Sequence, residues 1–244
     1  MQENSMKPLI IGHRGAYDSA PENTLKGFRK AIELKADYIE MDIQCSSDGA
    51  LVIIHGNDIL RRMGIKTTIE QMTLEQLKLL DMGEGEQIPE LRDVINICKG
   101  KINFLFEVKS KDMSDKIAQL IQTEEILEST IICSFSIETL TSIRKIIPTI
   151  KIAAIIPPND FFIPEWEKRK LLLDQVIDLD IPYVLTRYKN IDEDLVNYIH
   201  ANGLKVFGYT INTKKITKKL INLGVDGLIV NSISSTQEIL NLLF

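Results

Sequence analysis

The stretch IQCSSDGALVIIH, residues 43–55, decides how this chain folds. It joins the end of one apolar run at Gln44 to the start of the next at Leu51 through CSSDGA alone. A parallel crossover takes roughly a dozen residues or more. Asp48-Gly49 between two apolar runs is instead a hairpin signal. Residues 43–55 are therefore expected to form an antiparallel hairpin extending from the second strand, with Asp42 lying across from His55.

Outward from that hairpin, nine short runs read as strands: PLIIG (8–12), YIEMDIQ (38–44), LVIIH (51–55), NFLFEVK (103–109), TIICSF (130–135), KIAAII (151–156), YVLT (183–186), KVFGYT (205–210) and GLIVN (227–231). Most are separated by helical periodicity, marked by Leu25, Phe28 and Ile32, by Ile117, Leu120 and Ile121, by Leu195, Tyr198 and Ile199, and by Ile239, Leu240 and Leu243. Strands alternating with helices mean βα units and a parallel sheet. With Leu51–His55 set aside, eight βα repeats remain, the count of a (β/α)8 TIM barrel. The expected organisation is one domain over 1–244, with a small insertion after the second barrel strand, from about 44 to 87, lying over the barrel mouth. It contains TLEQLKLLDMG, and a helix from Leu91 to Cys98 completes the second unit.

The 244 residues are 44% hydrophobic and 26% charged, ordinary for a globular domain, and the net charge of −5 argues against a nucleic-acid partner. The one dense basic cluster, TKKITKK (213–219), has helical spacing and reads as a solvated face. Cys45, Cys98 and Cys133 are odd in number and far apart, which suits reduced, partly buried thiols better than disulfides or a zinc site. The first strand begins around Pro8, leaving no space for a secretory apolar segment, and no run reaches the ~18 apolar residues of a membrane span. The expectation is a cytoplasmic protein without stable membrane insertion; the oligomeric state is not legible.

Catalytic residues of such barrels sit at the carboxyl ends of the strands. Those ends carry His13 and Arg14 after the first strand, Glu40 and Asp42 on the second, and Glu107 and Lys109 on the third barrel strand. Alternation turns Glu40 and Asp42 to one face and Ile39, Met41 and Ile43 to the other. Three converging carboxylates without cysteine make a hard oxygen site suited to Mg²⁺ or Ca²⁺, although Glu107 with Lys109 also reads as a plain ion pair. His13 and His55 are the neutral-range titrating groups near it, better suited to acid–base work than to ligating a hard ion. Arg14 and Lys109 with a cation would favour an anion of several oxygens, first of all a phosphate. In SAPENTLKGF (19–28), Ser19 is expected to cap a helix, with Glu22 closing a capping box and Pro21 in the first turn. His200 sits favourably at a helix C-terminus and receives no catalytic role.

Five blocks in order, GHRG with PENT, ADYIEMDIQCSSDGALVIIH, FLFEVK, VFGYTIN and GVDGLIVN, resemble the glycerophosphodiester phosphodiesterase family over nearly the whole chain. The resemblance implies a metal-dependent TIM-barrel hydrolase that converts small glycerophosphodiesters, such as deacylated phospholipids, to glycerol 3-phosphate and an alcohol. It implies His13 and His55 as the catalytic histidines and Glu40, Asp42 and Glu107 as ligands of a divalent cation, Mg²⁺ or Ca²⁺. Arg14, Lys109 and Tyr209 then become substrate contacts. The chain departs from the family at Gly56, where an aspartate is usual (Asn57-Asp58 follow, with Arg61 in register), at Tyr209 in place of tryptophan, and at Asn231-Ser232 in place of Asp-x-Pro. Two alternatives remain: a non-catalytic phosphate-ligand binding homologue, and a lysophospholipase D-type enzyme. The latter would use an apolar groove, for which ILRRMGIK (59–66), Phe161, Phe162 and Trp166 are candidates.

Overall fold

The computed structural model describes residues 7–56, 64, 66–109, 111–157, 162–163 and 165–244. Eight parallel strands close into a ring: β1 (Leu9–Gly12), β2 (Tyr38–Cys45), β4 (Asn103–Val108), β5 (Thr130–Ser134), β6 (Lys151–Ile156), β7 (Tyr183–Arg187), β8 (Lys205–Ile211) and β9 (Gly227–Val230). β1 pairs with both β2 and β9, which makes the sheet a TIM barrel. β3 (Leu51–Ile53) stands outside the ring, antiparallel to β2, so the nine apolar runs divide as eight and one.

The outer helices are α1 (Leu25–Glu33), α3 (Leu91–Cys98), α4 (Ser114–Thr123), α5 (Ile137–Ile146), α6 (Trp166–Asp178), α7 (Glu193–Ala201), α8 (Lys214–Asn222) and α9 (Ile233–Leu243). A short α2 (Leu74–Lys78) lies between β3 and α3. Alternation along each strand sorts the apolar residues into two cores. Ile39, Met41, Ile43, Phe104, Phe106 and Val108 pack outward under the helices. Ile11, Leu105, Ile131, Cys133, Ile155, Leu185, Phe207 and Ile229 fill the interior. Each large side chain so buried contributes about 1.5–3 kcal/mol. Gly227 leaves room for the Phe207 ring, because a Cβ there would lie 2.5 Å from Phe207 Cδ1. On α8, Lys214, Lys215, Lys218 and Lys219 are exposed while Thr217, Leu220 and Ile221 are buried, the solvated face expected of TKKITKK. The three cysteines are free thiols, Cys98 and Cys133 buried, and burial pushes Cys98 up to about 12. No helix among the described residues is long and apolar enough to cross a membrane.

Two local expectations need correction. The hairpin loop has three residues, because Ser46 N–H donates to Ala50 O (2.9 Å) and Gly49 N–H to Ser46 O (3.0 Å), with Gly49 left-handed at φ 86°. A type I turn followed by a left-handed glycine gives this loop. Its register pairs Ile43 with Ile53, and Ile54 N–H donates to Asp42 O at 3.0 Å. Ile54 rather than His55 therefore faces Asp42, and His55 stands one residue farther on. Secondly, α1 is capped by Thr24, whose side chain accepts from Gly27 N–H, not by Ser19. Glu22 is buried against Arg14 instead of closing a capping box, since a desolvated ion pair outweighs a cap hydrogen bond.

Past the hairpin, Val52, Ile54, Ile69, Leu77, Met82 and Ile88 form a small apolar cluster of their own. Asp48 accepts from Leu74 N–H (3.1 Å), tying the hairpin tip to the start of α2. Asn57, Asp58, Arg61 and Phe161 lie outside the described residues.

Candidate active site

At the carboxyl end of β1 the chain turns sharply. Arg14 (φ 53°) and Gly15 (φ 91°) are both left-handed, and a Cβ on Gly12 would sit 2.5 Å from Gly15 O. A non-glycine residue in that region is held at a cost of about 1–3 kcal/mol, so the surroundings must fix it. Arg14 N–H donates to Glu40 Oε2 (2.9 Å), and Arg14 O accepts from Asn23 N–H (2.9 Å). Its guanidinium lies 2.5 Å from Glu22 and 3.1 Å from Asp42. Asn23, also left-handed at φ 56°, donates from Nδ2 to Asp42 Oδ2 at 3.0 Å.

β2 and β4 run in register with Asp42 beside Glu107. Glu40, Asp42 and Glu107 each bring one oxygen within 4.8 Å of the others. Lys109 reaches over them, 2.7 Å from Asp42 Oδ1 and bonded to Glu107. Burial pushes the Glu40 carboxyl well above the usual range, and the charges of Asp42 and Glu107 add to it. Burial also raises Glu107, against the pull of Lys109. Burial would raise Asp42 too, but Lys109, Arg14 and His55 outweigh it and hold that carboxyl well below the ordinary range. Among the described residues, four acids (Glu22, Glu40, Asp42, Glu107) gather about Arg14 and Lys109, so full ionisation puts two negative charges in excess before any charge on His55 is counted. One divalent cation carries that charge, and an all-oxygen donor set is what Mg²⁺ or Ca²⁺ takes. The residues fit such an ion.

The histidines flank the cluster. His13 N–H donates to Val230 O (2.9 Å), and its Nδ1 lies 2.8 Å from Asn231 Oδ1. Burial, then the Arg14 charge, lower His13 to about 4, so the ring is neutral at pH 7. His55, partly exposed, follows β3 closely enough for its charge to help keep Asp42 ionised. Beside it, at Gly56, a Cβ would meet Gln44 Nε2 at 3.2 Å, and that same nitrogen donates to Ile54 O (2.8 Å). Gln44 thus clamps the backbone that delivers His55. His13, Glu40 and Glu107 share a cleft with Cys133, Phe135, Ile155, Leu185, Ile229 and Tyr209, which puts Tyr209 on the same mouth as the acids.

The structure therefore gathers His13, Arg14, Glu40, Asp42, Glu107, Lys109 and Tyr209 at one end of the barrel, with His55 at its edge. Trp166 stays out of it, packing edge-on against Tyr198 at 5.6 Å between ring centroids and beneath Arg169, while Phe162 is exposed. His200 ends α7 and pairs with Asp226 at 2.9 Å. Sequence reasoning missed Glu22, Asn23 and Asn231. The signal for Asn231 was topological: a closed ring sets the last strand beside the first, and Gly12 opposite Val230 makes residues 13 and 231 neighbours.

Comparison with known proteins gives one consistent result. The model of the glycerophosphoryl diester phosphodiesterase family matches residues 13–235. A glycerophosphodiester phosphodiesterase of Caldanaerobacter subterraneus subsp. tengcongensis is 31% identical over 240 residues, covering 93% of this chain and 95% of its own. Among solved structures, a phosphodiesterase of Oleispira antarctica in complex with the product sn-glycerol 3-phosphate superposes with a TM-score of 0.80 at 25% identity, over 96% of this chain and 97% of its own. A glycerophosphodiester phosphodiesterase of Parabacteroides distasonis shares the fold, with a TM-score of 0.82 at 22% identity over 97% and 98%.

Proposed function

We propose that this chain, which belongs to the glycerophosphoryl diester phosphodiesterase family, cleaves glycerophosphodiesters into glycerol 3-phosphate and an alcohol, with His13 and His55 as its acid–base pair. The observation that carries this reading is the cluster of Glu40, Asp42 and Glu107, which with Glu22 outnumbers Arg14 and Lys109 and is flanked by the two histidines. Those three carboxylates would hold the divalent cation, whose chemistry there is Lewis-acid neutralisation of charge on a phosphoryl oxygen.

The chain's own residues do the rest. His13, neutral and half-buried, accepts a proton from the nucleophile, either water or the adjacent glycerol hydroxyl, the latter giving a cyclic phosphate first. His55, carrying a proton, delivers it to the departing alcohol as the phosphorus–oxygen bond breaks. Lys109 and Arg14, with side chains 27% and 17% exposed, offer donors to the non-bridging oxygens from positions already fixed by Asp42. Tyr209 walls the cleft against the glycerol.

Release of glycerol 3-phosphate from a panel of glycerophosphodiesters, with and without Mg²⁺ or Ca²⁺, tests the reaction. His13→Ala and His55→Ala should each lower kcat by about 10²–10⁴-fold, with His200→Ala as the neutral control. Near-full activity in both variants, or indifference to excess chelator, would overturn the reading.

A further inference from the structure

We infer that Asn231 is a positioning residue for this reaction: its side-chain oxygen holds His13 as the tautomer protonated on Nδ1, leaving Nε2 free to accept the proton. The inference rests on His13 as the base, and goes beyond that assignment by naming what selects the working nitrogen.

A neutral imidazole has one donor and one acceptor nitrogen, and the bond made by one decides the role of the other. His13 Nδ1 lies 2.8 Å from Asn231 Oδ1, an oxygen that only accepts, so Nδ1 carries the hydrogen. Asn231 is itself immobilised. The residue before it, Val230, pairs with Gly12 across β9 and β1 and accepts from His13 N–H at 2.9 Å. Asn231 O accepts from Asp18 N–H at 3.2 Å. The residue after it, Ser232, caps α9 by accepting from Ser235 N–H at 3.4 Å. Packing is close at the same corner, where a Cβ on Gly12 would come within 3.1 Å of Ile233 Cδ1. Around the ring, Arg14 and Glu22 come from its own loop and Asp42 from β2. The Tyr17 ring stands 6.3 Å away. Among the described residues, the Asn231 side chain is the hydrogen-bond partner of the imidazole, so the tautomer is set by an amide 218 positions away in sequence.

With only three histidines in the chain, ¹⁵N NMR of the imidazoles reads the tautomer directly, the resonances being assigned with His200→Gln and His13→Gln. The expected result is His13 protonated on Nδ1 in the wild type and in Asn231→Asp, which keeps an acceptor oxygen in place, but not in Asn231→Leu. Asn231→Leu should lower kcat about 10–100-fold while leaving KM within threefold, and Asn231→Asp should retain kcat to within several-fold. A purely structural role would shift the Tm of the leucine variant without changing the tautomer or separating kcat from KM. A wild-type His13 protonated on Nε2, or Asn231→Leu with an unchanged tautomer and kcat, overturns the inference. Retained activity in His13→Ala would instead refute the assignment of the base while leaving the tautomer result standing.

Discussion

Replacing Glu40 by glutamine should make the cation-free protein more stable at neutral pH. Glu40 is 4% exposed and shares a 4.8 Å cluster with Asp42 and Glu107. Two unit charges at that separation repel by about 3.5 kcal/mol at an effective dielectric constant near 20. From an ordinary glutamate value near 4.3 up to pH 7 is about 2.7 units at about 1.36 kcal/mol each, or roughly 3.7 kcal/mol. Burial, with the charges of Asp42 and Glu107 added and Arg14 opposing, raises the Glu40 carboxyl, and about 3.7 kcal/mol is the ceiling on what a carboxyl so raised withholds from stability at pH 7. Its folded-state pKa lies above the unfolded value, so the native state binds more protons and stability falls as pH rises from the ordinary carboxylate range through the raised value. Glutamine removes that slope and keeps an oxygen for Arg14 N–H, which donates to Glu40 at 2.9 Å. The expected gain is about 1–3 kcal/mol at pH 7 in chelator, close to zero near pH 4, and roughly 2–12 °C in Tm at pH 7. Thermal unfolding at pH 4, 5.5 and 7 in EDTA measures it. Repeating the scans in Mg²⁺ or Ca²⁺ should raise the wild type and leave the variant unmoved. A variant less stable than wild type at pH 7 in chelator, or a gap independent of pH, refutes the reasoning.

Asp42→Asn should lower stability by about 1.5–3 kcal/mol at pH 7, since it leaves Arg14 with Glu22 and Lys109 with Glu107 as their remaining carboxylate partners. The folded Asp42 carboxyl is depressed, so its contribution is present above the ordinary aspartate range and the gap to wild type narrows only in strong acid, as pH-dependent urea titrations should show. The pH profile of kcat/KM should have its acid limb at about 4, where burial places His13; a limb at 6–7 would remove His13 as the base. Gly227→Ala forces a Cβ to 2.5 Å from the Phe207 ring and should cost about 1–3 kcal/mol, with Phe207→Leu in the same chain restoring part of the Tm. Thr24→Ala should lower stability by about 1 kcal/mol and Ser19→Ala by close to nothing, the reverse of what a cap at Ser19 would give.

The barrel was legible because its signal is local: apolar runs of strand length, separated by helical periodicity and bounded by turn residues. Alternation alone turned Glu40, Asp42 and Glu107 to the inside, since Ile39, Met41, Ile43, Phe106 and Val108 claimed the helix-facing side. The hairpin was legible but its register was not. Two- and three-residue loops share the Asp-Gly signature; a two-residue type I′ turn would need Asp48 as well as Gly49 left-handed, and only Gly49 is. Glu22 was misread because a capping box is a pattern within four residues, whereas its partner Arg14 lies eight residues back across a turn. Asn231 required knowing that the ring closes, a fact no window of sequence contains.

That closure gives the order of synthesis a meaning. His13, Arg14, Glu40, Asp42, His55, Glu107 and Lys109 all lie within the first 109 residues, but the partner of His13 arrives at residue 231. A nascent chain arrested short of β9 holds every acid and both histidines, yet has neither the strand that closes β1 into the ring nor the oxygen that orients His13. Closure of the ring and the arrival of the His13 partner are therefore one event, the docking of the last strand against the first.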